Sequence, residues 1–193
     1  MALVPSNYAA LIASNTGWVG PQFLQMASGI AIGVTTYLVS NPLNVVLSVD
    51  AGAPGAGVGN GVLLAPSAHP QVLFGLLETN LRGQGILGPN LSQFTNGLAL
   101  ATCAYLATSQ TLTSHGGVGA GAGVGSIVGV EPAGMAAAIL SATGFIGSHW
   151  PGMVAGISVA LCLFLTTNVK YTIVISGPAG PGASAGSGTG RVF

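Results

Sequence analysis

Residues 17–38, GWVGPQFLQMASGIAIGVTTYL, return as GILGPNLSQFTNGLALATCAYL at 85–106 and as GFIGSHWPGMVAGISVALCLFL at 144–165. Working outward from this stretch, one constant offset carries Gly17 onto Gly144, Gly29 onto Gly156, Tyr37 onto Phe164, Val46 onto Ile173, Pro54 onto Pro181 and Gly59 onto Gly186. A second offset places Gly88 and Pro89 on Gly20 and Pro21, Gln93 on Gln25, Gly97 on Gly29 and Tyr105 on Tyr37. After a slight shift, Gly121, Gly123, Val124 and Gly125 fall on Gly55, Gly57, Val58 and Gly59. Self-similarity of this kind marks three copies of one supersecondary unit. The chain reads as a single repeat domain over 1–193, with copy one at 7–66, copy two at 71–130 and copy three at 131–193.

Each copy opens with a short apolar segment rich in Ala and Leu, at 8–14, 72–79 and 135–143, a composition that favours a helix. A loop follows in which two glycines hold a bulky apolar pair: Gly17-Trp18-Val19-Gly20, Gly85-Ile86-Leu87-Gly88 and Gly144-Phe145-Ile146-Gly147. Pro21 and Pro89 then suit the first turn of a second, longer helix. That helix is predicted over 21–38, 89–106 and 151–165, with Met26, Ile30, Val34, Tyr37 and Leu38 recurring at helical spacing in copy one. Small residues four apart line one stripe of it: Gly29 with Gly33, Gly97 with Ala101, and Gly156 with Ala160. Such a stripe lets another backbone approach closely. These six residues are the candidate helix-packing and assembly positions, and the three long helices are expected to pack against one another.

The period then changes. β-Branched and aromatic runs at 44–50 and 170–176 read as strands, with a weaker counterpart at 111–115. Glycine-rich segments follow at 52–61, 116–125 and 177–190, and the apolar returns at 62–64 and 127–130 suggest a second strand packed closely by its backbone. Copy three lacks that return, so its tail is expected to be free or to pair with a partner chain. The linkers at 65–70 and 131–132 are short and marked by Pro, which favours neighbouring units in one body. The expected fold class is α+β, three tandem helix-loop-helix-strand-Gly-rich repeats packed as one pseudo-threefold or spiral unit.

Charged residues make up 3% of the 193 residues, against roughly 25% in an ordinary soluble domain. Mean hydropathy is +0.73. Net charge is zero, so the chain has no electrostatic footprint for nucleic acid or anionic lipid. The N-terminus lacks the basic region and apolar run of a cleaved leader, and none is expected. Cys103 and Cys162 occupy equivalent positions, where copy one has Thr35, and read as small packing residues rather than a disulfide or metal pair.

Chemistry is sparse. The Gly55–Gly61 region lacks the Lys and Ser or Thr of a phosphate-binding loop. His69, His115 and His149 show no metal-ligand spacing, and Asp50, Glu78 and Glu131 are the only carboxylates. No Gly-x-Ser-x-Gly elbow is present. We expect no catalytic residue, no cofactor and no metal, and read the chain as non-enzymatic. Trp18 and Trp150, beside the loop before the long helix, are core anchors or interface aromatics.

Two classes remain. One is an assembly protein whose apolar surface is hidden in an obligate interface, as a homo-oligomer. The other is an integral membrane protein with three short helical spans, against which stand the polar residues Gln22, Gln25, Ser92, Gln93 and Asn96 and the absence of flanking Lys or Arg clusters. The start MALVPSN at 1–7, the Gly20-Pro21 to 25–31 stretch QMASGIA, and Gly-Ala-Gly-Val-Gly at 55–59 and 121–125 resemble small hydrophobic virion proteins of contractile-tailed bacteriophages. The resemblance implies a structural protein of the virion tail, assembled in the host cytoplasm and sited in the baseplate or at the central spike or tail tip. It implies a symmetric oligomer, a trimer or hexamer, with hub, spike or tape-measure proteins as partners. It also implies contact with the host envelope during injection.

Overall fold

The computed structural model describes residues 3–40, 43–53, 56–63, 69–108, 110–115, 120–128, 131–176 and 186–192. In chain order the elements are α1 (Pro5–Thr16), α2 (Pro21–Ser40), β1 (Leu43–Ala53), β2 (Ala56–Leu63), α3 (Pro70–Gly83), α4 (Leu91–Thr108), β3 (Gln110–His115), β4 (Ala120–Val128), α5 (Pro132–Thr143), α6 (Trp150–Asn168), β5 (Lys170–Ser176) and β6 (Gly186–Val192). The unit helix, helix, hairpin is thus written three times.

Short and long helices alternate. Each short helix starts on a proline, Pro5, Pro70 or Pro132, whose missing N–H is one that a first turn leaves unpaired anyway. They begin about three residues earlier than the apolar runs alone suggest, because proline supplies a start signal that hydrophobicity does not carry. Their far ends share a second device: Gly17, Gly85 and Gly144 sit at φ of 66, 78 and 63°, the left-handed conformation that turns the chain out of a helix.

The pattern of burial says how the helices pack. On the short helices a single stripe is buried: Tyr8 and Ile12; Leu73, Leu77 and Leu81; Met135, Ile139 and Thr143. Residues four apart lie above one another on one face, so each short helix meets the body along a narrow seam. The long helices are buried on several faces, with Ala27, Ile30, Ala31, Val34 and Leu38 on one side of α2 and Gly29, Gly33 and Tyr37 on another. Each short helix lies in the groove between two long ones: α1 between α2 and α6, α3 between α2 and α4, α5 between α4 and α6. The six helices therefore close into a ring, which a spiral would leave open at α1 and α6. Equivalent residues fill equivalent levels of its interior, such as Ile30, Leu98 and Ile157, then Leu38, Leu106 and Leu165.

Backbone pairing joins the six strand segments into a closed antiparallel barrel in the order β1 to β6, with β6 returning to β1. The glycine-rich β2, β4 and β6 alternate with β1, β3 and β5 around it. Thus the tail of copy three pairs within its own chain, with Gly188 opposite Ile175 on one side and Val45 on the other. The barrel meets the ring where α4 approaches β2, α6 approaches β4 and α2 approaches β6. Residues 54–55, 64–68, 116–119, 129–130, 177–185 and 193, which include parts of the predicted glycine-rich stretches, returns and first linker, lie outside the described residues.

The expected α+β fold is corrected by this arrangement. The part of the chain that packs through described side chains is helical, six helices with no sheet layered among them. An α+β core needs a sheet that offers a continuous apolar face to helices. Segments such as AGVGNGVL in β2 and GSGTGRV in β6 carry too few large side chains to make one. The small-residue stripe of each long helix receives a short helix, which corrects the expectation that the stripes join the long helices, while Met26, Phe94 and Met153 of the three long helices line one pocket together.

The links between copies are held by tyrosine. Tyr37 Oη accepts a hydrogen bond of 2.8 Å from the backbone N–H of His69, the residue before α3, and lies 3.5 Å from Cys103 Sγ. At the equivalent place in copy two, Tyr105 Oη meets the backbone N–H and C=O of Glu131, the residue before α5. At the equivalent place in copy three the residue is Phe164, which has no hydroxyl and is stacked on Tyr8 at 4.8 Å. Tyr37→Phe should cost about 1–3 kcal/mol, because it leaves the His69 N–H without this acceptor. Thermal or denaturant unfolding of the variant checks this, and a loss indistinguishable from zero would show that the link is held otherwise.

Candidate assembly site

The four glycines of the predicted stripe face the short helix of the next copy. A Cβ on Gly29 would stand 3.1 Å from Leu81 Cα, and one on Gly33 would stand 3.2 Å from Leu77 Cα, both on α3. A Cβ on Gly97 would come within 2.9 Å of Thr143 Cα on α5. At Gly156 the distance to Thr16 Cα on α1 is 2.6 Å, with Asn15 O at 2.8 Å. Ala101 and Ala160, the counterparts of Gly33, are buried. So the stripe does one job three times within a single chain: the long helix of each copy receives the short helix of the following copy, and α6 of the last receives α1 of the first.

The threonines at these crossings bond within their own helices, whereas the buried Tyr8 Oη at the α1/α6 contact has no hydrogen-bond partner among the described residues. Thr143 and Thr16 donate to Ile139 O and Ile12 O at 2.8 Å within their own helices, and Gln93 Nε2 reaches Thr143 O at 2.7 Å across the α4/α5 contact. Charge is almost absent from the ring. Glu78, Arg82 and Glu131 are its formally charged residues. Arg82 pairs with Glu78 at 2.6 Å. Hydrogen bonds from Arg82 and then from Ser92 hold the Glu78 carboxyl below its ordinary value.

Both tryptophans lie at the end of the ring where short helices turn into long ones. Trp18 is 40% exposed, with its ring 5.8 Å from Phe23 and edge-on to His149 at 6.4 Å. Trp150 is partly buried, set edge-on against Phe94 at 5.8 Å and Phe145 at 5.1 Å. Between these groups opens an apolar pocket of about 290 Å³, lined by Met26, Ile86, Leu87, Phe94, Phe145, Trp150 and Met153 among others. Met26, Phe94 and Met153 are equivalent residues of the three long helices, so the pocket opens at the pseudo-threefold axis.

Sequence reasoning missed what the second residue of each loop pair does. Val19, Leu87 and Ile146 are equivalent, and all three project outward, 91, 71 and 101% exposed. Of their partners, Ile86 and Phe145 turn back toward the body, while Trp18 stays 40% exposed beside Phe23. The repeated pair between glycines was the available signal: only one of two adjacent side chains on so tight a turn can face the core.

Cys103 and Cys162 are buried and free. Burial pushes the Cys103 thiol up, partly offset by its contact with Tyr37. Burial first, and then Glu131, push Cys162 up to about 11. Among the described residues no group of His, Cys, Asp and Glu is placed to hold a metal ion. His69 and His149 stand before α3 and α6, far apart in role, and the side chains of His115 and Asp50 lie outside the described residues. Set against protein families, curated proteins and solved structures, the chain matches none.

The crossings rank their own substitutions. Replacing a helical glycine by alanine gains about 1 kcal/mol of helix propensity, whereas forced overpacking costs about 1–3 kcal/mol. Gly156→Ala, with backbone atoms at 2.6 and 2.8 Å, should destabilise clearly, and Gly97→Ala should follow it. Gly33→Ala should be near neutral, since its counterparts are already alanine. Unfolding midpoints of the three variants measure the order, and equal effects would dissociate stability from the crossings.

The thiols give a second expectation. They stay protonated in the folded chain while those of the unfolded chain ionise near pH 8.5. Above that pH the unfolded state holds fewer protons than the folded one, so stability should fall as pH rises from about 8.5 toward the folded value of about 11. Iodoacetamide at pH 8 should label neither cysteine until denaturant is added, as mass spectrometry will show; rapid labelling of the folded protein would refute the buried, neutral state.

Proposed function

We propose that this chain is a non-enzymatic structural protein of a bacteriophage tail, in the baseplate or at the central spike or tail tip. The observation that carries the reading is the closed ring of three near-equivalent units in one chain. Such a ring offers three similar sides around one axis, which suits a place on a symmetry axis where partners recur. Its charge-poor surface fits burial in an obligate assembly, whose interfaces resemble a divided core. The sequence resemblance to small hydrophobic tail proteins supplies the kind of assembly. The proposed partners are further copies of the chain, as a trimer or hexamer, and hub, spike or tape-measure proteins. The proposed location is the virion tail, after assembly in the host cytoplasm.

Nothing in the helices favours the membrane-spanning alternative. Pro21–Ser40 and Trp150–Asn168 are long and apolar enough to cross a bilayer, yet 56% of the most apolar window of each is buried inside the ring. Core helices of a packed bundle have the same character. Mass by light scattering, for protein prepared without detergent, should give a discrete trimer or hexamer, and the chain should be present in purified tails at a fixed ratio to hub and spike. Recovery only in detergent micelles, or absence from purified tails, would overturn the assignment.

A further inference from the structure

We infer that the loop end of the ring is a membrane-contact face, where Val19, Leu87 and Ile146 enter the surface of an uncharged lipid bilayer. The inference rests on these loops and the ring that carries them, and is independent of the assignment to a phage tail. The three tips occupy equivalent loop positions of the three copies, at the same end of the ring, and each is a large aliphatic side chain at 71–101% exposure. One surface can therefore meet all three.

The chemistry of the face selects the occupant. Residues 17–20, 85–90 and 144–149 contain no Asp, Glu, Lys or Arg, and Arg82 in the last turn of α3 is paired with Glu78, so entry of the tips strips no unpaired charge of water and gains little from anionic headgroups. Trp18, one residue from the first tip and 40% exposed, is an amphipathic ring of the kind that settles at the lipid headgroup level. Only the tip side chains need reach hydrocarbon, which leaves the loop backbone among headgroups and water, where its N–H and C=O groups find partners. A protein partner would have to provide three separate sockets for three isolated protrusions of different shape. Fluid hydrocarbon accepts all three with no complementarity.

The test is co-flotation of the full chain with vesicles of phosphatidylcholine alone, compared with vesicles that also contain phosphatidylserine. The wild type should float with both equally, in low and high salt, and each of Val19→Ser, Leu87→Ser and Ile146→Ser should lower partitioning by about tenfold. The triple variant should stay at the bottom of the gradient with its helical circular dichroism unchanged. In Trp150→Phe protein, fluorescence of Trp18 should be quenched by brominated phosphatidylcholine. Failure of folded wild type to float, or flotation of the triple variant at wild-type level, would overturn the inference. So would binding that needs phosphatidylserine and is lost in salt. A soluble complex whose mass collapses in the triple variant would overturn it too, by assigning the tips to contacts between copies. None of these outcomes bears on whether purified tails contain the chain, so the two readings fail separately.

Discussion

Everything in this molecule depends on the approach of a short helix to the long helix of the preceding copy. The approach is close because a glycine stands at each crossing, and at the α6/α1 contact the backbones come so near that a single Cβ on Gly156 would meet Thr16 Cα at 2.6 Å. That contact joins the two ends of the helical sequence. With it, the first copy receives the same support as the second and third, and no helix is left with an unpartnered seam. Without it, the repeat would be an open array needing capping elements at both ends, as tandem repeats ordinarily do. Closure replaces caps.

The ring explains why equivalent positions diverge where they do. Tyr37 and Tyr105 supply a hydroxyl to the backbone of the residue that leads into the next short helix, and Phe164 stands at the equivalent place in copy three. At this third junction the aromatic pair is completed from the other side, by Tyr8 on α1 against Phe164 on α6. Leu73 and Met135 are the buried residues at the corresponding place on α3 and α5. The α6/α1 contact thus carries a stacked pair where the other two junctions carry a hydrogen bond.

Much of this was legible in the sequence, and the limits have physical causes. The offsets that superimpose Gly29, Gly97 and Gly156 locate both helices of every copy and mark the crossings themselves. They do not say which backbone approaches. A small-residue stripe is equally suited to a long helix or a short one, and only burial of one seam at Leu73, Leu77 and Leu81 reveals that the short helix is the guest. Fold class was misread because β-branched runs identify strand segments without stating what they pack on, and here they pair with glycine-rich partners instead of layering on helices. The exposed tips were hidden for a related reason: hydrophobicity suggests burial, and Ile146 is apolar yet fully outside.

The two ends of the ring are consequently unlike, although one repeat builds both. At one end the long helices run into strands that pair with one another, so that end is closed by backbone hydrogen bonds. At the other the chain turns through glycine-braced loops that have nothing to pair with, and there the aromatic side chains and the mouth of the pocket collect. A chain with three Lys and Arg and three Asp and Glu cannot orient itself by charge. It has instead a polarity of shape and hydrophobicity, a paired end and an apolar end. The same feature that makes the ring nearly threefold also makes this polarity strong, because whatever one loop presents is presented three times at one end.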